Sequence, residues 1–214
     1  MARIAILANS KRFDGQCLGG IDLDTKEWVR PVTKSGDGIP VERCFVNGKF
    51  LTLLDILELD LIKPRIVDEF QCENRFIRNW RWKRKRRLKR DAVKKYVESD
   101  TPILHSSGDR VAPDDLLVLP PEDWKSLQLV RPRNLRFGRH YYDPNRWVAH
   151  FFDRAGNSYS LKVTDPVATR KLEGGQSISK RSLLTVSMAK PWSHDDTQKP
   201  PMCYKVVAAV VEPN

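Results

Sequence analysis

The sequence has no stretch approaching the roughly 18 apolar residues of a membrane-crossing helix, and the apolar part of its opening, MARIAILANSKR, is too short for a secretory signal. These absences predict a soluble, cytoplasmic chain with no membrane partner. Cysteine is scarce and scattered: Cys17, Cys44, Cys72 and Cys203 form no CxxC pair. That argues against a zinc site or a disulfide framework and favours buried, reduced thiols. The histidines, His105, His140, His150 and His194, are as dispersed, so neither a metal nor a cofactor is expected. There is no Walker loop, GxGxxG, HExxH or GxSxG. Asp68 and Glu69, followed by Glu73, are the nearest approach to a nuclease carboxylate group. A metal-dependent nuclease needs carboxylates converging from separate elements, which one short cluster does not supply. Asp22 and Asp24, two apart, read as the exposed face of a hairpin. Binding is expected rather than catalysis.

Acid is also missing from one particular place. Residues 75–95, RFIRNWRWKRKRRLKRDAVKK, hold twelve cations and a single acid, Asp91. The chain has 38 Lys and Arg against 27 Asp and Glu, so the remainder is balanced at 26 each and the whole net charge of +11 sits in this stretch. Like charges at that density repel, and ordinary solvated faces mix both signs. The stretch therefore predicts a polyanionic partner, most simply nucleic acid, whose binding is driven by counterion release. If half of the twelve cations met phosphates, the log–log salt slope would be about −4 on single strands and about −5 on duplex. Phe76, Trp80 and Trp82 stand just ahead of the densest run, and aromatic stacking accepts any base, which favours single-stranded DNA or RNA.

Hydrophobic alternation and turn signals divide the chain into two β-rich halves. In the first, RIAILANS, QCLGGIDLD, EWVRPV, FLTLLDILELDLI and QCENRFI read as strands, the second and third forming a hairpin. In the second, SLQLVRPRNLRFGRH is extended, because Pro132 lacks an amide hydrogen and biases Arg131 away from helix. RWVAHFFD and SYSLKVTD flank a turn containing Gly156. DPVATRKLEGG then carries helix signals: Asp165 as cap, Pro166 in the first turn, Gly174 or Gly175 as stop. SLLTVSMAKP and CYKVVAAVVE complete three strands, a helix and two strands, the order of an OB-fold. The prediction is a mainly β protein of two OB-like barrels, over 1–80 and 126–214. A basic, partly helical connector over 81–125 would join them, with a helix from Leu88 to about Ser99.

Several motifs resemble the bacterial dual OB-domain family. They are SKR (Ser10–Arg12), the Cys-x-x-Gly of Cys17–Gly20 and KEWVRPV in the first half, with YSLKVTDP, LLTVSMAKPW and YKVVAAVVEP in the second. The resemblance implies paired OB-folds and a nucleic-acid-binding role in bacterial conflict or antiviral defence, with no established catalytic residues. The basic run at 83–90 has no counterpart in that pattern and is read from its own chemistry.

The candidate nucleic-acid contacts are Arg78, Arg81, Lys83, Arg84, Lys85, Arg86, Arg87, Lys89 and Arg90, with Trp80 and Trp82 as stacking platforms. In the first half they are joined by Lys11, Arg12, Trp28 and Arg30, and in the second by Arg131, Arg133, Arg136 and Arg139. By strict alternation Arg131, Arg133 and Arg139 share a face opposite Arg136 and His140, unless a bulge intervenes. Core packing competes with stacking for Trp28, Trp80 and Trp82, and local ion pairs compete with phosphate for Arg30 and the second-half arginines. An accessory subunit that docks an acidic protein through the basic segment is the alternative function, with a metal-dependent nuclease behind it.

Overall fold

The computed structural model describes residues 1–12, 15–35, 38–64, 70–193 and 200–213, and for Arg12 the backbone only. Two compact units are present: Met1–Ile66 with Glu73–Lys95, and Val67–Cys72 with Tyr96–Pro213. No helix among the described residues is long and apolar enough to cross a membrane.

The first unit runs through β1 (Ala2–Arg12), β2 (Gly15–Asp22), β3 (Trp28–Val32), β4 (Ile39–Pro40), a 3-10 turn (Val41–Cys44), β5 (Phe45–Val46), β6 (Lys49–Phe50), β7 (Asp55–Leu59), β8 (Leu61–Ile62), β9 (Asn74–Ile77) and β10 (Lys83–Arg87). Antiparallel β1 and β2 continue to β3, β3 runs parallel to β9, β9 pairs with β8, and β7 returns to β1. Since β7 and β8 are one strand bent at Asp60, the path closes in the 1-2-3-5-4-1 order of an OB barrel. Gly20 permits the tight crossing at its start, where an added Cβ would lie 2.2 Å from the Ala5 carbonyl oxygen. Ile4, Ile6, Leu18, Leu57, Leu59 and Ile77 fill the interior. The fourth strand starts later than FLTLLDILELDLI suggests, because Leu54 has φ +72° and breaks the extended run before Asp55.

The basic run is a strand, which corrects the helical expectation. Lys83–Arg87 continues the line of β9 along the same bent strand, with Lys83 opposite Glu58, Arg84 opposite Leu57 and Arg87 opposite Asp55. The Arg78 amide donates to the Asp60 carbonyl between the two ladders at 3.0 Å. Backbone partners on β7, together with its carboxylates, outweigh the absence of apolar alternation. Helix is confined to α1 (Arg90–Val93) and a 3-10 turn (Lys94–Tyr96), rather than Leu88 to Ser99.

The second unit follows its sequence signals closely. After β11 (Arg110–Val111) and α2 (Pro113–Leu117) come β12 (Leu127–Val130), β13 (Arg133–Arg139), β14 (Trp147–Phe152), β15 (Ser158–Val163), α3 (Pro166–Glu173), β16 (Leu183–Met188) and β17 (Cys203–Val211). The pairing path is β12-β16-β17-β15-β14-β13, with β15 parallel to β17. β12 and β13 are one strand bent at Pro132, so this path also closes as an OB barrel, with α3 between its third and fourth strands. Asp165 caps α3 by accepting from Val167 N at 2.8 Å and Ala168 N at 3.1 Å, and it also accepts from Val210 N on β17 at 2.9 Å. Burial raises its pKa while those three amides oppose the shift. Earlier on β17, the buried Lys205 side chain donates to the Ile103 and Ser106 carbonyls at 2.7 and 2.6 Å. It thereby ties β17 to the turn that precedes β11.

Candidate nucleic-acid interface

β10 divides its cations into two groups by what lies opposite them. Asp55 is fully buried and accepts from Thr52 N at 2.8 Å, Thr52 Oγ1 at 3.1 Å and Arg84 Nη2 at 2.8 Å. Arg87 Nε lies 3.5 Å from the same carboxylate, and Arg87 Nη2 donates to the Leu53 carbonyl at 2.6 Å. Lys85 Nζ is 3.1 Å from Glu58 and Arg78 is 3.6 Å from Asp60. These four side chains fasten the strand to the barrel. Arg81, Lys83, Arg86 and Lys89 are exposed and make no ion pair among the described residues. Arg90 is exposed beside them.

Of these cations Arg86 borders one of two adjoining concavities formed with the β5–β6 hairpin, which turns through Asn47 and Gly48 at positive φ, and the exposed Lys49 of the hairpin lines the same one. One, of about 390 Å³, is lined by Asn47, Lys49 and Arg84–Arg87, and the other, of about 170 Å³, by Glu42, Arg43, Phe45, Trp80 and Trp82, with Val46 and Asn47 common to both. Phe45 is 54% exposed and stands edge-on to Phe50 at 5.1 Å. Trp80 is half-buried, 5.2 Å from Trp82, with the Arg43 guanidinium 5.3 Å from its ring centre. The groove thus runs from an aromatic end to a cationic end, the pairing of surfaces that single strands use.

Two expected contacts are corrected. Arg30 is 1% exposed on β3, where its amide donates to the Glu73 carbonyl at 2.8 Å, so its guanidinium offers no surface charge. Trp82 is 8% exposed and packs in the core, leaving Trp80 as the accessible member of the pair. Lys11 is exposed on β1 and Trp28 is half-buried at the start of β3; the Arg12 side chain lies outside the described residues.

In the second unit a bulge between Arg133 and Arg136, with Asn134 at φ +55°, overrides strict alternation. Arg133 stands opposite Phe152 and Arg136 opposite His150, so the two arginines share the outer face, while Arg139 stacks on Trp147 at 3.9 Å. His150 Nδ1 lies 2.8 Å from Ser160 Oγ, and burial, then the Arg136 charge, lowers its pKa, so it is neutral near pH 7. The loop after β13 exposes Tyr141 and Tyr142 almost fully, their rings 4.8 Å apart.

Sequence reasoning missed Arg43, Phe45, Lys49, Tyr141 and Tyr142. FVNGKF carries the Asn-Gly hairpin signal between two phenylalanines, and RHYYDPN places two aromatics in a polar loop, so both signals were available. Of the carboxylates considered for a nuclease, Asp68 and Glu69 lie outside the described residues and Glu73 is buried. Among the described residues no three His, Cys, Asp or Glu side chains gather as a metal site. Cys44 is fully buried, and burial pushes its thiol up to about 11, away from reactive thiolate.

Neither a curated protein nor a solved structure matches the chain. A family model described as a dual OB-containing domain matches residues 2–210, nearly the whole length and both closed barrels, and the chain belongs to that family.

Proposed function

We propose that the protein is a non-catalytic module that binds single-stranded DNA or RNA along the β10 groove. Phosphates meet Lys49, Lys83, Arg86 and Lys89, and bases stack on Trp80 and Phe45. The observation that carries this reading is the juxtaposition of the exposed Phe45 and half-buried Trp80 rings with Lys49 and Arg86 in two adjoining concavities, Lys83 and Lys89 being exposed on the chain beside them. The Arg133–Arg136 face and the Tyr141–Tyr142 loop support a second contact region, since OB-folds bind on their strand-two and strand-three face and the adjoining loops. A setting in bacterial conflict or antiviral defence belongs to this proposal through family resemblance alone.

The rival reading is an acidic protein partner. It rests on β10 ending its pairing path, so that among the described residues one of its edges has no strand partner and is suited to augmentation. Fluorescence anisotropy with labelled single-stranded DNA, single-stranded RNA and duplex DNA separates the two. Binding to single strands ahead of duplex at low salt supports the groove, and no binding to any of the three at low salt rejects it in favour of the protein partner.

A further inference from the structure

A third concavity lies wholly within the second unit. The segment entering that unit runs beside β12, with Glu98 N donating to the Leu129 carbonyl at 2.9 Å and Gln128 Nε2 to the Asp100 carbonyl at 2.9 Å. Between this segment, the bend at Pro132 and the β14–β15 turn is a cavity of about 290 Å³. Val97, Ile103 and Val130 supply its apolar wall, and the exposed Arg131, Arg133 and Arg154 supply its charge. Its acids are already engaged. Glu98 and Asp100 pair with Lys125 at 3.6 and 2.5 Å, and Asp153 accepts from Asn157 N, Asn157 Nδ2 and Tyr159 OH at 2.9, 2.8 and 3.1 Å. None of the three arginines makes an ion pair among the described residues.

We infer that this cavity binds a nucleoside phosphate, with the base against the apolar wall and the phosphate held by the arginines. A volume near the lower end of the roughly 300–1,000 Å³ of small-ligand sites suits one nucleotide. Three guanidinium groups are the natural donors for a phosphate, which they grip through paired N–H groups. An inorganic anion would leave the apolar wall unused. The ligand is either a free mononucleotide or the phosphorylated end of a strand. The inference does not rest on the β10 groove, which lies in the other unit.

Calorimetric titration of the full chain with AMP, GMP, CMP and UMP, with adenosine and inorganic phosphate as partial ligands, tests the free source. Anisotropy with 5′-phosphorylated, 3′-phosphorylated and unphosphorylated oligonucleotides tests the strand end. Two variants accompany both: Arg131→Gln/Arg133→Gln/Arg154→Gln removes charge from exposed positions, and Ser99→Trp fills the cavity without touching charge. The expected result is binding of a mononucleotide or a phosphorylated end that loses at least about tenfold without the phosphate, the worth of one charge-assisted hydrogen bond. Both variants should abolish that preference. A Lys49→Gln/Lys83→Gln/Arg86→Gln/Lys89→Gln variant should retain it, which separates failure of this site from failure of the groove. Absence of binding in every arm, phosphate alone binding as tightly as nucleotides, or full binding by Ser99→Trp would overturn the inference.

Discussion

Arg84 and Arg86 sit two apart in KRKRR and look equivalent in sequence, yet the structure assigns them opposite work. Replacing Arg84 with Met leaves the Asp55 carboxylate buried, with Thr52 and the more distant Arg87 as its remaining partners. Removing one partner of a buried pair costs about 3–5 kcal/mol, and a hydrogen bond to a charged group contributes about 1.5–3 kcal/mol. The Arg84 side chain is 18% exposed and Arg87 persists at 3.5 Å, which places the expected loss at the lower end, about 2–3 kcal/mol. Arg86→Met removes no partner and should stay within about 0.5 kcal/mol. Urea unfolding of both variants against the parent measures the difference. Affinity for single-stranded DNA should move the other way, falling with Arg86→Met and holding with Arg84→Met under conditions where both are folded. Equal stability losses, or a larger loss at Arg86, would refute the division of the strand into fastening and presenting cations.

The tryptophans make a parallel contrast. Trp82→Ala should destabilise by about 3–5 kcal/mol as a core truncation, whereas Trp80→Ala should mainly weaken oligonucleotide binding by about 1–3 kcal/mol, read by anisotropy. Gly20→Ala forces a methyl group to within 2.2 Å of the Ala5 carbonyl oxygen and 2.6 Å of Ile4 Cγ2, so β1 and β2 must separate. A loss of about 3 kcal/mol, the upper range for overpacking, is expected in a melting experiment. Burial pushes the Lys205 ammonium down to about 7, with Asp109 opposing. The unfolded chain, with a lysine pKa of about 10.4, then binds more protons between these values, so stability rises with pH across that window at no more than about 1.4 kcal/mol per pH unit. Lys205→Met should remove that rise, and identical pH dependence of urea midpoints in the two proteins would contradict it.

The second barrel was legible because each of its elements carries a local signal. Alternating apolar residues mark β14 and β15, and Asp165, Pro166 and Gly174 punctuate α3. The first barrel was legible as strands, but β10 was not, because a strand held through β7 carboxylates has no apolar period to detect. The bulge at Asn134 was equally hidden, since a single residue at positive φ re-aims Arg136 without altering the composition around it. At the candidate site the charge was visible in the sequence and its availability was not. Whether an arginine faces Asp55 or solvent is settled by pairing with a strand some 29 positions earlier in the chain. Trp80 was visible in the same way, but its meeting with Phe45 was not, because Phe45 belongs to a hairpin distant in sequence.

The most direct test of the groove is the salt dependence of single-stranded DNA binding by the parent and by the Lys49→Gln/Lys83→Gln/Arg86→Gln/Lys89→Gln variant. Four available cations contribute about −3 to the log–log slope, at about −0.7 per phosphate neutralised. The parent should bind with a slope at least that steep, and the variant should bind more weakly with its slope shallower by about 3. A variant that matches the parent in affinity and slope, or a parent that binds no single strand at low salt, would contradict the account.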